Sequence, residues 1–452
     1  MVYNTEQMIE AAMANTKHQR LSVKSKLNGH PLKETIKAPS APRQWNIQSS
    51  PAVAVSRNEI RSTLAAITAQ VPTTSKAIVN LGLGDPTFYP LHPPSEATVV
   101  ATRKALDSER ANGYVAGVGT LEARAAVADY HKRWDGVDYK TDHIVLTHGV
   151  GHALELIFNV LLPHNSASSP ANILLSSPGF PQYEALLATL GTEVRHYQCV
   201  EENGWEIDLE GLDALCDEET RAILITNPSN PCGSNFSRKH LTSIIDIAET
   251  HKVPIIADEI YGHMTYGSSF TPLASLSSSV PVLTLSGLSK RFLLPGWRFG
   301  WVALHDPLGV ASAIKDGMAV WGNRIMGPNS LVQAALPGIL ATEPEWFQEV
   351  TRKIELNSIT VFEAVQSIPG LSTTMPQGAL YMLVRIALAE FPDFKDDADF
   401  CAALYKEEAV FVLPGQCFSA KGYFRVVNGA PVEVMRDVME RLRDFCGRHV
   451  RA

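Results

Sequence analysis

Lys290 stands in the stretch SGLSKRFLLPGWRFGW, Ser286 to Trp301, behind small residues and ahead of an apolar run, with Arg298 eight positions on. A lysine held in a pocket can serve as a nucleophile, because burial favours its neutral amine. Other polar residues also close apolar runs. RAILIT is followed by Asn227-Pro228-Ser229-Asn230-Pro231-Cys232-Gly233, and VPIIA by Asp258-Glu259-Ile260-Tyr261. An acid at the end of a buried run is costly unless it meets a partner. HIVLT leads into His148-Gly149-Val150-Gly151, a small-residue turn suited to a phosphate at a helix start. It is not a dinucleotide fingerprint, since Leu154 stands where the third glycine would be. NILLSSPG leads into Phe180, an aromatic able to cover a flat ring.

Each residue alone has a plain explanation: a surface lysine, a helix cap, a tight turn, a core aromatic. Together they are the set that a pyridoxal phosphate site needs. Lys290 would form a Schiff base with the aldehyde, and Asp258 would keep the pyridine nitrogen protonated. Asn230 and Tyr261 would bind the ring hydroxyl. The glycine turn and an arginine would hold the phosphate.

Such residues work together only if the chain brings the ends of those runs to one place. Short Val-, Ile- and Leu-rich runs (HIVLTHG, NILLSSPG, RAILITNPSNP, VPIIADEIY, VPVLTLSG) alternate with amphipathic helices such as GHALELIFNVLL and FPQYEALLATLG. Runs of this kind suit strands buried on both faces, and the alternation predicts a mostly parallel α/β sheet. Ligands of open parallel sheets bind beyond the carboxyl ends of the strands, where these residues stand. IVNLGLGDPTF, Ile78 to Phe88, reads as a buried strand entering a turn. Helical pattern covers Asn58 to about Gln70 and about Pro328 to Ile368. A smaller α+β unit closes the chain, with strands over GALYMLVRI, AVFVLPG and YFRVVNG.

The chain has 452 residues, 45% hydrophobic and 19% charged, enough for two or three domains with a large core. A net charge of −8 offers no overall basic field to neutralise phosphates, so no nucleic-acid partner is expected. No apolar run approaches the roughly 20 residues that span a bilayer. The six cysteines, Cys199, Cys216, Cys232, Cys401, Cys417 and Cys446, include no C-x-x-C pair. They read as reduced thiols of a cytoplasmic protein, and no metal is expected. No signal-peptide core opens the sequence. The first forty-odd residues are polar and Lys-rich, a mobile extension or a weak transit peptide, with Glu6 and Glu10 arguing against the latter.

NPSNPCGSNFSRKH, ADEIYG, LSKRFLLPGWRFGW and LGLGDPT make the chain, from about Trp45 to its end, resemble the class I aminotransferases of fold type I, most closely the tyrosine aminotransferases. The resemblance implies a large domain with a seven-stranded, mostly parallel sheet between helices, and a smaller α+β domain. The boundaries would be 1–44 for the extension, 45–78 for an N-terminal arm, 79–335 for the large domain and 336–452 for the small one. It implies ping-pong transamination between an aromatic amino acid, tyrosine first, and a 2-oxo acid, within aromatic amino acid metabolism. Lys290 would hold the cofactor as an aldimine and move the substrate proton. Asp258, Tyr261, Asn230 and Phe180 would bind the ring. Val150, Gly151, Arg298 and Ser286 would serve the phosphate. Ser286 is included because Gly287 stands where many relatives carry a serine or threonine. Tyr114 would reach the phosphate of the neighbouring subunit, which implies a homodimer with shared sites. Arg425 would fork onto the substrate carboxylate, with Gly84 lying against the substrate. Arg61 and Arg324 are the candidates for a distal carboxylate. Other enzymes of the fold use the same constellation, so a broad-specificity, alanine or methionine aminotransferase and a carbon–sulfur lyase are the alternatives.

Overall fold

The apolar runs become the strands of one large sheet in the computed structural model, which describes residues 45, 47–56, 59–163 and 171–451. The expected extension over 1–44 lies outside the described residues. The helix expected from Asn58 spans Glu59–Thr68. The strand expected over IVNLGLGDPTF shrinks to β1 (Val79–Asn80). The Asn80 side chain ends it by accepting the amides of Gly82 and Leu83 at 3.0 and 3.2 Å, a local bond that competes with a ladder.

The large sheet is built from β2 (Ile144–Thr147), β3 (Asn172–Ser177), β4 (Glu193–Val200), β5 (Glu206–Ile207), β6 (Thr220–Thr226), β7 (Ile255–Asp258), β8 (Val282–Gly287) and β9 (Gly300–His305). Their order is β2-β9-β8-β7-β6-β3-β4-β5. Neighbours from β8 to β4 run parallel, β9 runs antiparallel to both β8 and β2, and β5 is an antiparallel edge. The expected seven strands are thus eight, the addition being the two-residue β5. Two strands escape the apolar-run reading. β4, sequence EVRHYQCV, interleaves polar residues because it lies near the edge and is half-buried. β9 follows directly from the apolar stretch around Trp297, which hides its start.

Helices cover both faces. Leu121–Asp135, Arg238–His251 and Ser330–Ile339 pack with Val127, Leu241 and Leu336 in one apolar cluster. Val150–Leu161, Gln182–Leu190 and Ser312–Gly322 pack with Ile157, Leu187 and Met318 in another. A second, antiparallel sheet has β10 (Leu371–Thr373), β11 (Tyr381–Ile386), β13 (Leu413–Pro414) and β14 (Tyr423–Val427) in the order β10-β11-β14-β13. β12 (Val410–Phe411) pairs instead with β1. Helices Pro344–Val365, Asp397–Glu408 and Val432–His449 bury Val361, Phe400 and Phe445 against this sheet, with Ile67 of the N-terminal helix in the same cluster. No helix among the described residues is long and apolar enough to cross a membrane.

One buried polar cluster locks the end of helix Leu121–Asp135. The Trp301 indole donates to His131 Nε2 at 2.8 Å, so Nδ1 carries the imidazole proton and donates to Asp135 Oδ2 at 2.5 Å. His263 Nε2 meets the other Asp135 oxygen at 2.6 Å. Burial pushes the Asp135 carboxyl up, but the two imidazoles outweigh it and hold the group far below its usual range. Its contribution is therefore fully present above the unfolded carboxylate value of about 3.9 and is lost as pH falls through the lower folded value. Asp135→Asn is expected to destabilise the protein by about 1.5–3 kcal/mol at neutral pH, because it removes the charged acceptor of two buried hydrogen bonds. In thermal unfolding the gap between wild type and variant should shrink as pH falls below about 4.

Candidate active site

The carboxyl ends of β6, β7 and β8 deliver Thr226, Asp258 and, three residues past Gly287, Lys290 to one edge of the large sheet. A cavity of about 630 Å³ opens there. Asn230 and Tyr261, from the turns after β6 and β7, line it, with Val150 and Gly151 at the start of helix Val150–Leu161. Phe180, Arg298 and Gly84 complete this wall, and Arg425 enters from β14. Arg61, on the N-terminal helix, also lines the cavity.

Asp258 is buried. Its Oδ2 accepts the Tyr183 hydroxyl at 2.7 Å and its Oδ1 the Ile260 amide at 3.2 Å. Burial raises the carboxyl to about 6, against the pull of those donors and of Lys290. Both donors are neutral, so among the described residues the carboxylate has no bonded cation. Lys290 donates to the Gly84 carbonyl oxygen, and its amine lies 6.0 Å from the Tyr261 ring centre.

Arg425 is the converse case. It is 2% exposed, sandwiched between the rings of Tyr381 and Phe418 at 4.4 and 4.5 Å. One terminal nitrogen donates to Asn230 Oδ1 at 2.8 Å and the other to the Gly82 carbonyl at 2.7 Å, while Nε has no partner among the described residues. Among the described residues it makes no ion pair, and burial pulls its guanidinium below the ordinary range. A buried cation held this way fits an anionic ligand.

Helix Val150–Leu161 begins at Gly149, whose φ of 81° favours glycine. A Cβ there would lie 2.9 Å from the Arg298 guanidinium, so the turn and the arginine form one anion cradle. Arg298 is kept over it by bonds to the carbonyls of Pro295 and His148, at 2.9 and 3.4 Å.

Three expected residues do not join the cavity. Ser286 stays in β8, paired with Trp301 of β9, and Ser289 lines the cavity instead. A side chain at 287 has no room either, since its Cβ would meet the Phe299 carbonyl at 2.6 Å. Tyr114 lies outside the cavity and is 91% exposed. Arg324 stacks on the Trp321 ring at 3.9 Å and lines a separate cavity. Conversely, the sequence reading missed Tyr183 and Tyr381. Each is a polar-tipped aromatic inside an apolar stretch, and that faint signal also fits a core residue.

The chain matches the family model for aminotransferases of class I and II over residues 76–442. It is 38% identical to mouse tyrosine aminotransferase over 409 residues, 90% of this chain and 88% of that protein. It is 37% identical to the S-alkyl-thiohydroximate lyase of Arabidopsis thaliana over 382 residues, 83% and 82% of the two chains. Among solved structures, tyrosine aminotransferase from Leishmania infantum superposes with a TM-score of 0.86 at 31% identity, covering 90% of this chain and all of that one. The chain therefore belongs to the class I and II aminotransferase family.

Proposed function

We propose that the protein moves the amino group of an aromatic L-amino acid, tyrosine first, to a 2-oxo acid by a ping-pong reaction with pyridoxal phosphate. The observation that carries this is the meeting of Lys290, Asp258, Tyr261, Asn230, Arg298 and Arg425 around one cavity. The residues fit the cofactor by their chemistry. Among the described residues Asp258 is a buried carboxylate without a bonded cation, and a protonated ring nitrogen would supply one. The Gly149–Arg298 cradle suits a phosphate. When bound, the cofactor supplies an aldehyde for the amino group and a ring that accepts electrons from the substrate α-carbon.

The chain's own residues do the rest. Arg425 takes the substrate carboxylate, with Asn230 fixing its fork and Gly84 leaving space beside it. Lys290 carries the proton between the α-carbon and its neighbour, from a position set by the Gly84 carbonyl. Tyr261 and Asn230 would bind the ring hydroxyl, Phe180 would cover the ring, and Val150 and Gly151 would offer backbone amides to the phosphate. Arg61 is the candidate for a distal carboxylate on the acceptor, since it lines the cavity and Arg324 of the same chain does not. Burial of the aromatic-lined walls excludes water around these charges.

The same reading includes a homodimer, supported by the exposure of Tyr114 away from its own cavity. It includes a large domain over 79–335 and a small one over 336–452, supported by the separate apolar clusters on the two sheets. A cytoplasmic setting is supported by six free cysteines. The likeness to the plant lyase favours carbon–sulfur bond cleavage as the second reading.

Adding L-tyrosine without an acceptor to the cofactor-loaded protein should change its visible absorption, and 2-oxoglutarate should reverse the change. A spectrum unmoved by tyrosine would overturn it as donor, and release of pyruvate and ammonia from a sulfur amino acid without an acceptor would select the lyase reading. Arg61→Ala is expected to raise KM for 2-oxoglutarate about fivefold, the worth of one exposed ion pair, and leave pyruvate unchanged. Equal effects on both acceptors would remove Arg61 from this role, and a selective effect of Arg324→Ala would give the role to the partner subunit.

A further inference from the structure

Tyr381 opens β11 of the smaller sheet, yet it lines the cavity at the edge of the larger one. The turn before it accounts for this. The amides of Gln377 and Gly378 donate to the Gly233 carbonyl at 2.8 and 2.9 Å, just past the Asn230 turn. The Ala379 amide donates to the Met264 carbonyl, and the Tyr266 amide to the Gln377 carbonyl, each at 2.9 Å, just past Tyr261. Gly378 has no room for a side chain, because a Cβ would meet the Met264 carbonyl at 2.9 Å and Pro228 at 3.0 Å. The turn is thus bonded to both segments that carry Asn230 and Tyr261, and it registers Tyr381 against them.

At the other end of the side chain, three groups converge. The Tyr381 and Tyr261 hydroxyls are 2.7 Å apart, their rings edge-on at 5.5 Å. A Cβ on Gly84 would lie 2.4 Å from the Tyr381 hydroxyl, so that hydroxyl abuts the backbone whose carbonyl receives Lys290. The ring forms one side of the sandwich on Arg425, which it reaches diagonally across the β11–β14 ladder, where Leu383 pairs with Arg425.

We propose that Tyr381 is a positioning residue for the reaction: its hydroxyl sets the direction of the Tyr261 hydroxyl and the resting place of the Lys290 amine, and its ring sets the Arg425 fork. The two functions separate by atom. The hydroxyl acts on the groups around the reacting carbon, and the ring acts on substrate binding. Electrostatics agree with this arrangement. Burial raises both phenols, but the charges of Lys290 and Arg425 and the bond from Tyr261 outweigh burial at Tyr381 and pull it below the usual tyrosine range, whereas Tyr261 is driven up. Tyr261 is then the donor of the pair and the Tyr381 oxygen the acceptor. Its free hydroxyl edge is left for a ligand only in the direction that Tyr381 allows.

The inference rests on the transamination reading for its kinetic part, so the test has one arm that needs neither cofactor nor reaction. In the cofactor-free protein, tyrosinate absorbance should show one phenol titrating below the ordinary range. It should vanish in Tyr381→Phe and move upward in Lys290→Ala and in Tyr261→Phe. In the loaded enzyme, Tyr381→Phe keeps the ring on Arg425 and should lower kcat about 10- to 100-fold, with KM for the amino acid within about twofold, the scale of lost orientation. Tyr381→Leu removes the ring as well and should raise that KM further. A Tyr381→Phe enzyme with wild-type kcat and pH profile overturns the proposal, even if its melting temperature falls. So does a wild-type titration with no early phenol, and that arm stays decisive if Tyr381→Phe fails to fold, because Lys290→Ala and Tyr261→Phe report on the same group. If the titration behaves as expected while tyrosine leaves the cofactor spectrum unmoved, the donor assignment fails and the hydroxyl pair stands.

Discussion

Two opposite charges are buried around one cavity without being allowed to meet. Asp258 is an anion held by a phenol and an amide, and Arg425 is a cation held by an amide oxygen, a carbonyl and two rings. Pairing them would recover part of the desolvation cost, since attraction in a low-dielectric interior is strong. The fold instead fixes one on the large sheet and the other on the small one. Each is left short of the counter-charge that a ligand would bring, so binding is favoured where the empty protein is least satisfied.

The rest of the architecture serves that separation. Parallel strands β6, β7 and β8 place their carboxyl ends side by side, which brings Thr226, Asp258 and Lys290 together from runs more than twenty residues apart. A right-handed crossover between parallel neighbours leaves a loop at each such end, and those loops carry Asn230 and Tyr261. The smaller sheet contributes through β11 and β14, and its turn at 377–379 is hydrogen-bonded to both loops. The site therefore depends on the two sheets in register, with rigid backbone contacts rather than long side chains doing the alignment. Small residues make the approach possible: Gly84, Gly149 and Gly233 each stand where a Cβ would collide with an atom of a cavity-lining residue.

Much of the site was legible because parallel sheets turn a linear pattern into a spatial one. Each apolar run ends where its strand ends, and the residue after it is delivered to the same edge. Asp258, Lys290 and Asn230 follow from that rule. Arg425 and Gly84 were not accessible to it. They come from the antiparallel unit and from the segment before the first large strand, and only the family resemblance marked them. The rule also failed for β4, where a half-buried position next to the edge relaxes the demand for apolar residues, and for the length of β1, where bonds to the Asn80 side chain displace the ladder.

The sequence by itself determined the alternation of the apolar strands with helices, the buried character of the large sheet and the chemical types at its active edge, because periodicity and local turn chemistry act over a few residues. Tertiary structure alone decided which residues touch. Tyr183 and Tyr381 look like core aromatics until folding sets one against Asp258 and the other against Tyr261, 75 and 120 residues away. Ser286 and Ser289 are equally plausible by composition, and folding keeps Ser286 in β8, paired with Trp301 of β9, while Ser289 lines the cavity. Contacts of that kind depend on the packing of distant elements at a scale of a few tenths of an ångström, and no local pattern in a chain encodes them.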